Sequence, residues 1–267
     1  MSDENDNKTM SDAHNSFHAK KRRARRDSKG GPRYPARRKV AREESDNLYL
    51  YGLHTVRAAL NNPVRRKITL YATKNGLSRL EFEPSATAEF LIEEKLPGEL
   101  DRMVGSDAVH QGAVLHAAPL LHKSIQELSD YNLVLILDQV TDPHNVGAIM
   151  RSAVAMNAGA IITTSRHSPV ETGVLAKSAS GAIDLIDHIS VRNLADTLIE
   201  LEASGFTTVG LDSEESIPFE ELPTQQKIAL VLGAEGKGLR QKTRTTCQHL
   251  VRLDMPGAIK SLNVSNA

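Results

Sequence analysis

From residue 47 onward, apolar positions recur with the periods of strands and helices. A loose alternation over 49–53 predicts a strand, and 54–60 carries helical spacing that stops at Asn61-Asn62-Pro63. Residues 67–72 read as a strand, 86–94 as a helix, 99–104 as a weaker helix and 112–117 as a strand. His110-Gln111-Gly112 is a turn signal before the last of these. Together they describe a small α/β unit over 47–120. Residues 119–130 form a connector with a short helix. From 131 to 267, strands at 133–137, 160–164, 185–190, 206–211, 228–232 and 249–253 alternate with helices at 146–157, 173–180, 194–204 and 239–245. Strand–helix alternation is the mark of a mostly parallel sheet, and the unbroken apolar run Leu133-Val134-Leu135-Ile136-Leu137 suits a strand buried on both faces. An α/β fold class follows, and no internal repeat interrupts it.

Composition changes the picture mainly at the N-terminus. The 267-residue chain carries 33 basic and 33 acidic residues, yet residues 17–42 hold twelve Lys/Arg and one acid, Asp27. With Gly30, Gly31, Pro32 and Pro35 and almost no aliphatic side chains, this stretch cannot bury enough surface to offset the entropy of ordering, so 1–46 reads as a disordered basic arm. Such blocks bind nucleic acid by releasing counterions, which makes RNA or DNA the expected partner. No apolar run reaches the length of a membrane-spanning helix. A single cysteine, Cys247, excludes an internal disulfide framework and fits a cytoplasmic setting.

Ligands of open α/β sheets collect beyond the carboxyl ends of strands, which directs attention to the loops after Leu137, Leu232 and Leu253. The first contains Asp142-Pro143-His144-Asn145-Val146-Gly147 and opens a helix carrying Arg151. Asn145 is placed to cap that helix, and Arg151, about one and a half turns further on, adds a cation suited to a phosphate. A plain cap and a solvated arginine are the alternative. His144 and Asp142 have no third ligand at useful spacing, so no metal is expected. The second loop, Gly233-Ala234-Glu235-Gly236-Lys237-Gly238, lets a ligand approach the backbone closely. It matches neither a Walker loop nor Gly-x-Gly-x-x-Gly, and Glu235 would repel a pyrophosphate, which disfavours ATP, dinucleotides and nucleotide hydrolysis. The third is Ser261-Leu262-Asn263-Val264-Ser265, in which polar and apolar residues alternate.

In this order and spacing the three loops resemble the motifs of the SpoU branch of the knotted SPOUT methyltransferases, and the group closest in pattern is the bacterial 23S rRNA guanosine-2′-O-methyltransferases. Tyr51-Gly52-Leu53-His54-Thr55-Val56 and Val109-His110-Gln111-Gly112 are similar to the small RNA-binding domain that precedes the catalytic domain in ribosomal-RNA members. The resemblance runs from about Leu48 to the last residue. It implies a trefoil knot, a homodimer with the site near the subunit interface, and S-adenosylmethionine contacted by Gly233, Leu253 and Leu262. It also implies a catalytic neighbourhood of Asn145, Arg151, Glu235, Ser261 and Asn263. Similar proteins continue past the third motif into a C-terminal helix that completes the knot; here the sequence stops at Ala267, so that helix is expected to be missing.

The chemistry implied is transfer of a methyl group to a ribose 2′-hydroxyl. Arg151 is the residue proposed in this family to take the hydroxyl proton, but a guanidinium with a pKa above about 12 is better suited to clamp a phosphate and stabilise oxyanion charge. A guanosine of large-subunit RNA is the expected target. Transfer RNA, or a non-catalytic role in RNA binding or ribosome assembly, remains open at this point.

Overall fold

The computed structural model describes residues 48–82, 90–166, 168–214, 217–222, 226–258 and 262–267. The basic arm, the first four residues of the helix expected at 86–94 and Ser261 lie outside the described residues.

The first sheet is built from β1 (Leu48–Tyr51), β2 (Lys67–Ala72), β3 (Leu91–Glu94) and β4 (Ala113–Ala117) in the order β1-β4-β2-β3. β4 runs antiparallel to β1 and β2, whereas β3 pairs parallel with β2. Three helices accompany it: α1 (Leu53–Asn61), α2 (Lys74–Leu80) and α3 (Pro97–Val104). Two of these elements depart from the sequence reading. Leu91–Glu94, expected to end a helix, is the edge strand β3, because pairing with Thr69–Ala72 outweighs the weak helical spacing of an exposed segment. The helix α2 was not anticipated. Thr73 caps it by accepting from Gly76 N at 2.9 Å, and Gly76 is needed because a Cβ there would lie 2.1 Å from the Gly112 carbonyl oxygen.

The second sheet is entirely parallel. Its strands are β5 (Leu133–Asp138), β6 (Ala160–Thr164), β7 (Asp187–Val191), β8 (Thr207–Leu211), β9 (Ile228–Gly233) and β10 (His249–Val251), in the order β10-β8-β9-β5-β6-β7. The connecting helices are α4 (Pro143–Ala155), α5 (Gly173–Ala179), α6 (Leu194–Ala203) and α7 (Gln241–Thr246). Alternate residues of β5 enter different cores. Leu135 and Leu137 join a cluster with Met150 of α4 and Leu175 of α5, while Val134 and Ile136 join Leu194, Leu198 and Leu201 of α6. Burial on both faces accounts for the uninterrupted apolar run. α4 and α5 cross closely at Gly147, where a Cβ would sit 2.6 Å from Ser178 Cβ.

The two sheets share one hydrophobic cluster, which runs from Leu50 and Val56 to Ala176 and Ile183. A buried ion cluster reinforces the junction. Arg65, on the turn before β2, reaches Asp184 at 2.8 Å and Glu171 at 2.5 Å, and it donates to the Ala118 carbonyl at 3.1 Å. The Arg65 and Asp184 side chains have no exposed surface.

Candidate active site

The chain leaves β5 toward β6 and β7 on one side, then returns to build β8, β9 and β10 on the other. The loops after β5 and β9 therefore diverge between adjacent strands, at a topological switch point. Asp138, the last residue of β5, stands in register with Gly233, the last of β9.

At the start of α4, Asp142 is the cap, accepting from His144 N at 2.9 Å, and Pro143 occupies the first helical position. This corrects the expectation that Asn145 caps the helix. Asn145 lies at the third helical position, where its amide is free to work outside the helix. Its Nδ2 donates to Glu235 Oε1 at 3.2 Å, and its Oδ1 accepts from Asn263 Nδ2 at 3.1 Å. Glu235 Oε1 also receives Val264 N at 3.4 Å, and Asn263 Oδ1 accepts from Ser265 N at 2.8 Å and from the Ser265 hydroxyl. Three segments, the outermost 118 residues apart in the chain, thus share one hydrogen-bond network. Val264, 7% exposed, anchors the last segment in the core.

The glycine-rich loop is held by two devices. Gly238 N donates back to Ala234 O at 2.8 Å, so tightly that a Cβ on Gly233 would lie 2.3 Å from the Gly238 carbonyl carbon. Beyond it, the fully buried carboxylate of Asp138 accepts from Arg240 N at 2.9 Å and Arg240 Nε at 2.6 Å. The Asp138 clamp was missed in the sequence, although an acid ending a wholly apolar strand was its visible signal.

Two depressions meet at this network. One, of about 380 Å³, is lined by Gly233, Gly236, Leu253, Met255 and Leu262, with the acids Asp212, Glu214 and Glu235 among them. The other, of about 310 Å³, is lined by Gln139, Thr141, Asp142 and Asn145. Ala234, Glu235, Lys237 and Val264 border both. The three residues expected to hold the cofactor, Gly233, Leu253 and Leu262, therefore face the same cleft. Arg151 is not drawn into the network; it is exposed on α4, without a described ion-pair or hydrogen-bond partner. Ser261 is outside the described residues. Cys247 lies behind the loop, where burial pushes its thiol up to about 12, so it offers no thiolate nucleophile near neutral pH. No group of three or more His, Cys, Asp or Glu able to hold a metal ion occurs among the described residues.

The model of the SpoU rRNA Methylase family matches residues 132–267, and that for RNA 2′-O ribose methyltransferase substrate binding matches residues 49–122. The chain belongs to the SpoU rRNA methylase family. Among curated relatives, the 23S rRNA (guanosine-2′-O-)-methyltransferase RlmB of Ralstonia nicotianae is 38% identical over 231 residues, covering 84% of this chain and 92% of that protein. The RlmB of Pseudomonas putida is 36% identical over 228 residues, covering 82% and 91%. Among solved structures, the SpoU methyltransferase AviRb from Streptomyces viridochromogenes, in complex with AdoMet, aligns with a TM-score of 0.69 at 21% identity, covering 85% of this chain and 88% of that one. An AdoMet-bound rRNA methyltransferase from Sinorhizobium meliloti gives 0.71 at 20% identity, covering 85% and 86%. At these identities the structural likeness speaks to the SpoU fold, a parallel α/β domain with a smaller α/β sheet before it.

Proposed function

We propose that this chain methylates a ribose 2′-hydroxyl of RNA, with S-adenosylmethionine as donor and a guanosine of 23S ribosomal RNA as acceptor. The observation that carries the reading is the Asn145–Glu235–Asn263 network at the wall between two depressions, one suited to the donor and the other to the acceptor ribose. The RlmB relatives favour ribosomal over transfer RNA.

The larger cleft fits the donor by its chemistry. Leu262 keeps 48% of its surface exposed there, beside Leu253 and Met255, so apolar area is available to a heterocycle. The glycines expose backbone donors and acceptors, and the acids suit a cationic ligand. Gly233, Leu253 and Leu262 are the residues proposed to hold it. When bound, S-adenosylmethionine supplies a methyl group made electrophilic by its sulfonium.

What remains for the protein is largely positioning, which supplies up to ~7–11 kcal/mol of barrier reduction when the reacting atoms are aligned. Asn145, itself held by Asn263, and the Val264 N–H hold Glu235 in one orientation at the border, and the two amides retain polar capacity toward a ribose. Ser261 belongs to the proposed catalytic set through the motif it opens. Arg151, with its charge uncommitted within the described chain, is assigned to the phosphate next to the target ribose, where a planar fork stabilises developing oxyanion charge. The proton then leaves to that phosphate or to water. Family membership further supports a trefoil knot, a homodimer and a cytoplasmic location; among the described residues no helix is long and apolar enough to cross a membrane. The arm over 1–46, the small RNA-binding domain over 47–120 and the methyltransferase domain over 131–267 are the proposed division of labour.

The test is methyl transfer from labelled S-adenosylmethionine to a 23S rRNA transcript, with transfer RNA as a parallel substrate and ribose methylation mapped by resistance to alkaline cleavage. A 2′-O-methylguanosine in the ribosomal transcript is expected, and Asn145→Ala should slow its formation about a hundredfold. Label on a base, or none in either RNA, would reject the reading.

A further inference from the structure

Lys177, on α5 of the large sheet, reaches across to the small sheet. Its Nζ donates to Gln111 Oε1 at 3.1 Å, and the same oxygen accepts from Leu53 N at 3.2 Å. The ammonium lies flat over Gly52, so closely that a Cβ there would sit 2.3 Å from Nζ. Gln111 adopts a left-handed φ of 56° inside the turn that presents it. A non-glycine residue held in that conformation, to meet a lysine of another sheet, is backbone strain localised at one contact.

The charge balance of this contact is incomplete. Among the described residues no carboxylate forms an ion pair with Lys177, and burial alone shifts its pKa downward, with no acid nearby to raise it again. Gln111 offers a neutral oxygen already shared with a second donor. A partly desolvated cation whose partner is a neutral oxygen leaves its charge available to an anionic ligand. Position along the surface indicates which ligand. Next in sequence, the Ser178 hydroxyl hydrogen-bonds His144 Nδ1 at 3.0 Å, and His144 immediately precedes Asn145 of the reaction site. A path of two hydrogen bonds and two peptide links therefore joins the small sheet, through Gln111, Lys177, Ser178 and His144, to the Asn145–Glu235 network.

We propose that Lys177 and Gln111 form a phosphodiester-binding subsite at the crossing of the two sheets, which seats the RNA backbone between the region gripped by the small domain and the nucleotide to be methylated. This rests on the proposed function and adds a positioning residue to it. Lysine serves there as a point charge, so the contact fixes register and carries no base specificity.

The experiment compares full-length wild type, Lys177→Gln, which keeps a donor for Gln111, and Lys177→Arg, which keeps the charge. RNA affinity is measured across a salt series, S-adenosylmethionine affinity separately, and melting temperature as a control. Lys177→Gln should weaken RNA binding about tenfold and reduce the slope of log K against log salt by about 1. It should leave S-adenosylmethionine affinity and the melting temperature unchanged, and Lys177→Arg should restore the slope. An unchanged slope in Lys177→Gln, in a wild type that methylates the transcript, overturns the subsite and leaves the function standing. Equal losses in both variants with a lowered melting temperature also overturn it, as a structural contact. A wild type that neither binds nor methylates RNA overturns the function itself.

Discussion

Asp138 illustrates how much one buried carboxylate decides near the site. It has no exposed surface, whereas its partner Arg240 is 39% exposed in its side chain. The two halves of the pair are therefore unequal on removal. Asp138→Asn loses the charge assistance of two hydrogen bonds and frees Arg240 to turn toward water, at a cost of about 1.5–3 kcal/mol. Arg240→Ala leaves the carboxylate buried with only a backbone N–H, which belongs with broken buried pairs at about 3–5 kcal/mol. Urea denaturation should therefore rank Arg240→Ala as the more damaging change, and the opposite ranking would show that the aspartate is hydrated in solution. Both variants should weaken S-adenosylmethionine binding in titration calorimetry, because the pair anchors the far end of the loop that carries Glu235.

At the scale of elements, the edge of the large sheet carries a pH response. His188 on β7 hydrogen-bonds Thr163 on β6 at 2.8 Å, and burial, followed by the neighbouring His122, lowers its pKa to about 4. Below the ordinary value of 6.5 the unfolded chain takes up a proton that the folded chain refuses. Stability should accordingly fall as pH drops from 6.5 toward 4, by up to about 3 kcal/mol, and His188→Asn should flatten that part of the profile. A variant with the wild-type slope would remove His188 as its source. The same sheet shows why some elements were legible in the sequence and others not. β5 and β6 are buried on both faces, so their composition alone announces them, and 160–164 coincides with the observed bounds. β3 is exposed at every residue and depends on its neighbour β2, a relation that no local period encodes. Helix α2 exists because Gly76 fits against the Gly112 carbonyl, a contact between residues far apart in sequence. The site divides along the same line. Asn145, Glu235 and Asn263 were recognisable by motif, but the identity of the α4 cap and the Asp138–Arg240 clamp came only with three-dimensional register.

For the whole molecule, the junction between the sheets determines whether RNA held by one is delivered to the other at a fixed distance. Domains joined by small polar interfaces move relative to one another by default. This junction is of the other kind, since a single apolar cluster passes through it and Arg65 is buried between Asp184 and Glu171. A continuous core of this type should unfold as one cooperative unit, so fluorescence of a probe on the small sheet and far-UV circular dichroism should trace the same urea transition. Arg65→Ala would strand two carboxylates, one wholly buried and one 11% exposed, and should lower the midpoint by the equivalent of about 3–5 kcal/mol. The combined replacement Arg65→Met, Glu171→Gln and Asp184→Asn removes the charges together and should recover much of that loss, because the penalty comes from unpaired charge and not from a missing attraction. Two separated transitions in the wild type would mean that the sheets fold independently. The crossing at Lys177 would then join mobile bodies, and RNA register would have to be set by the ligand, not by the protein.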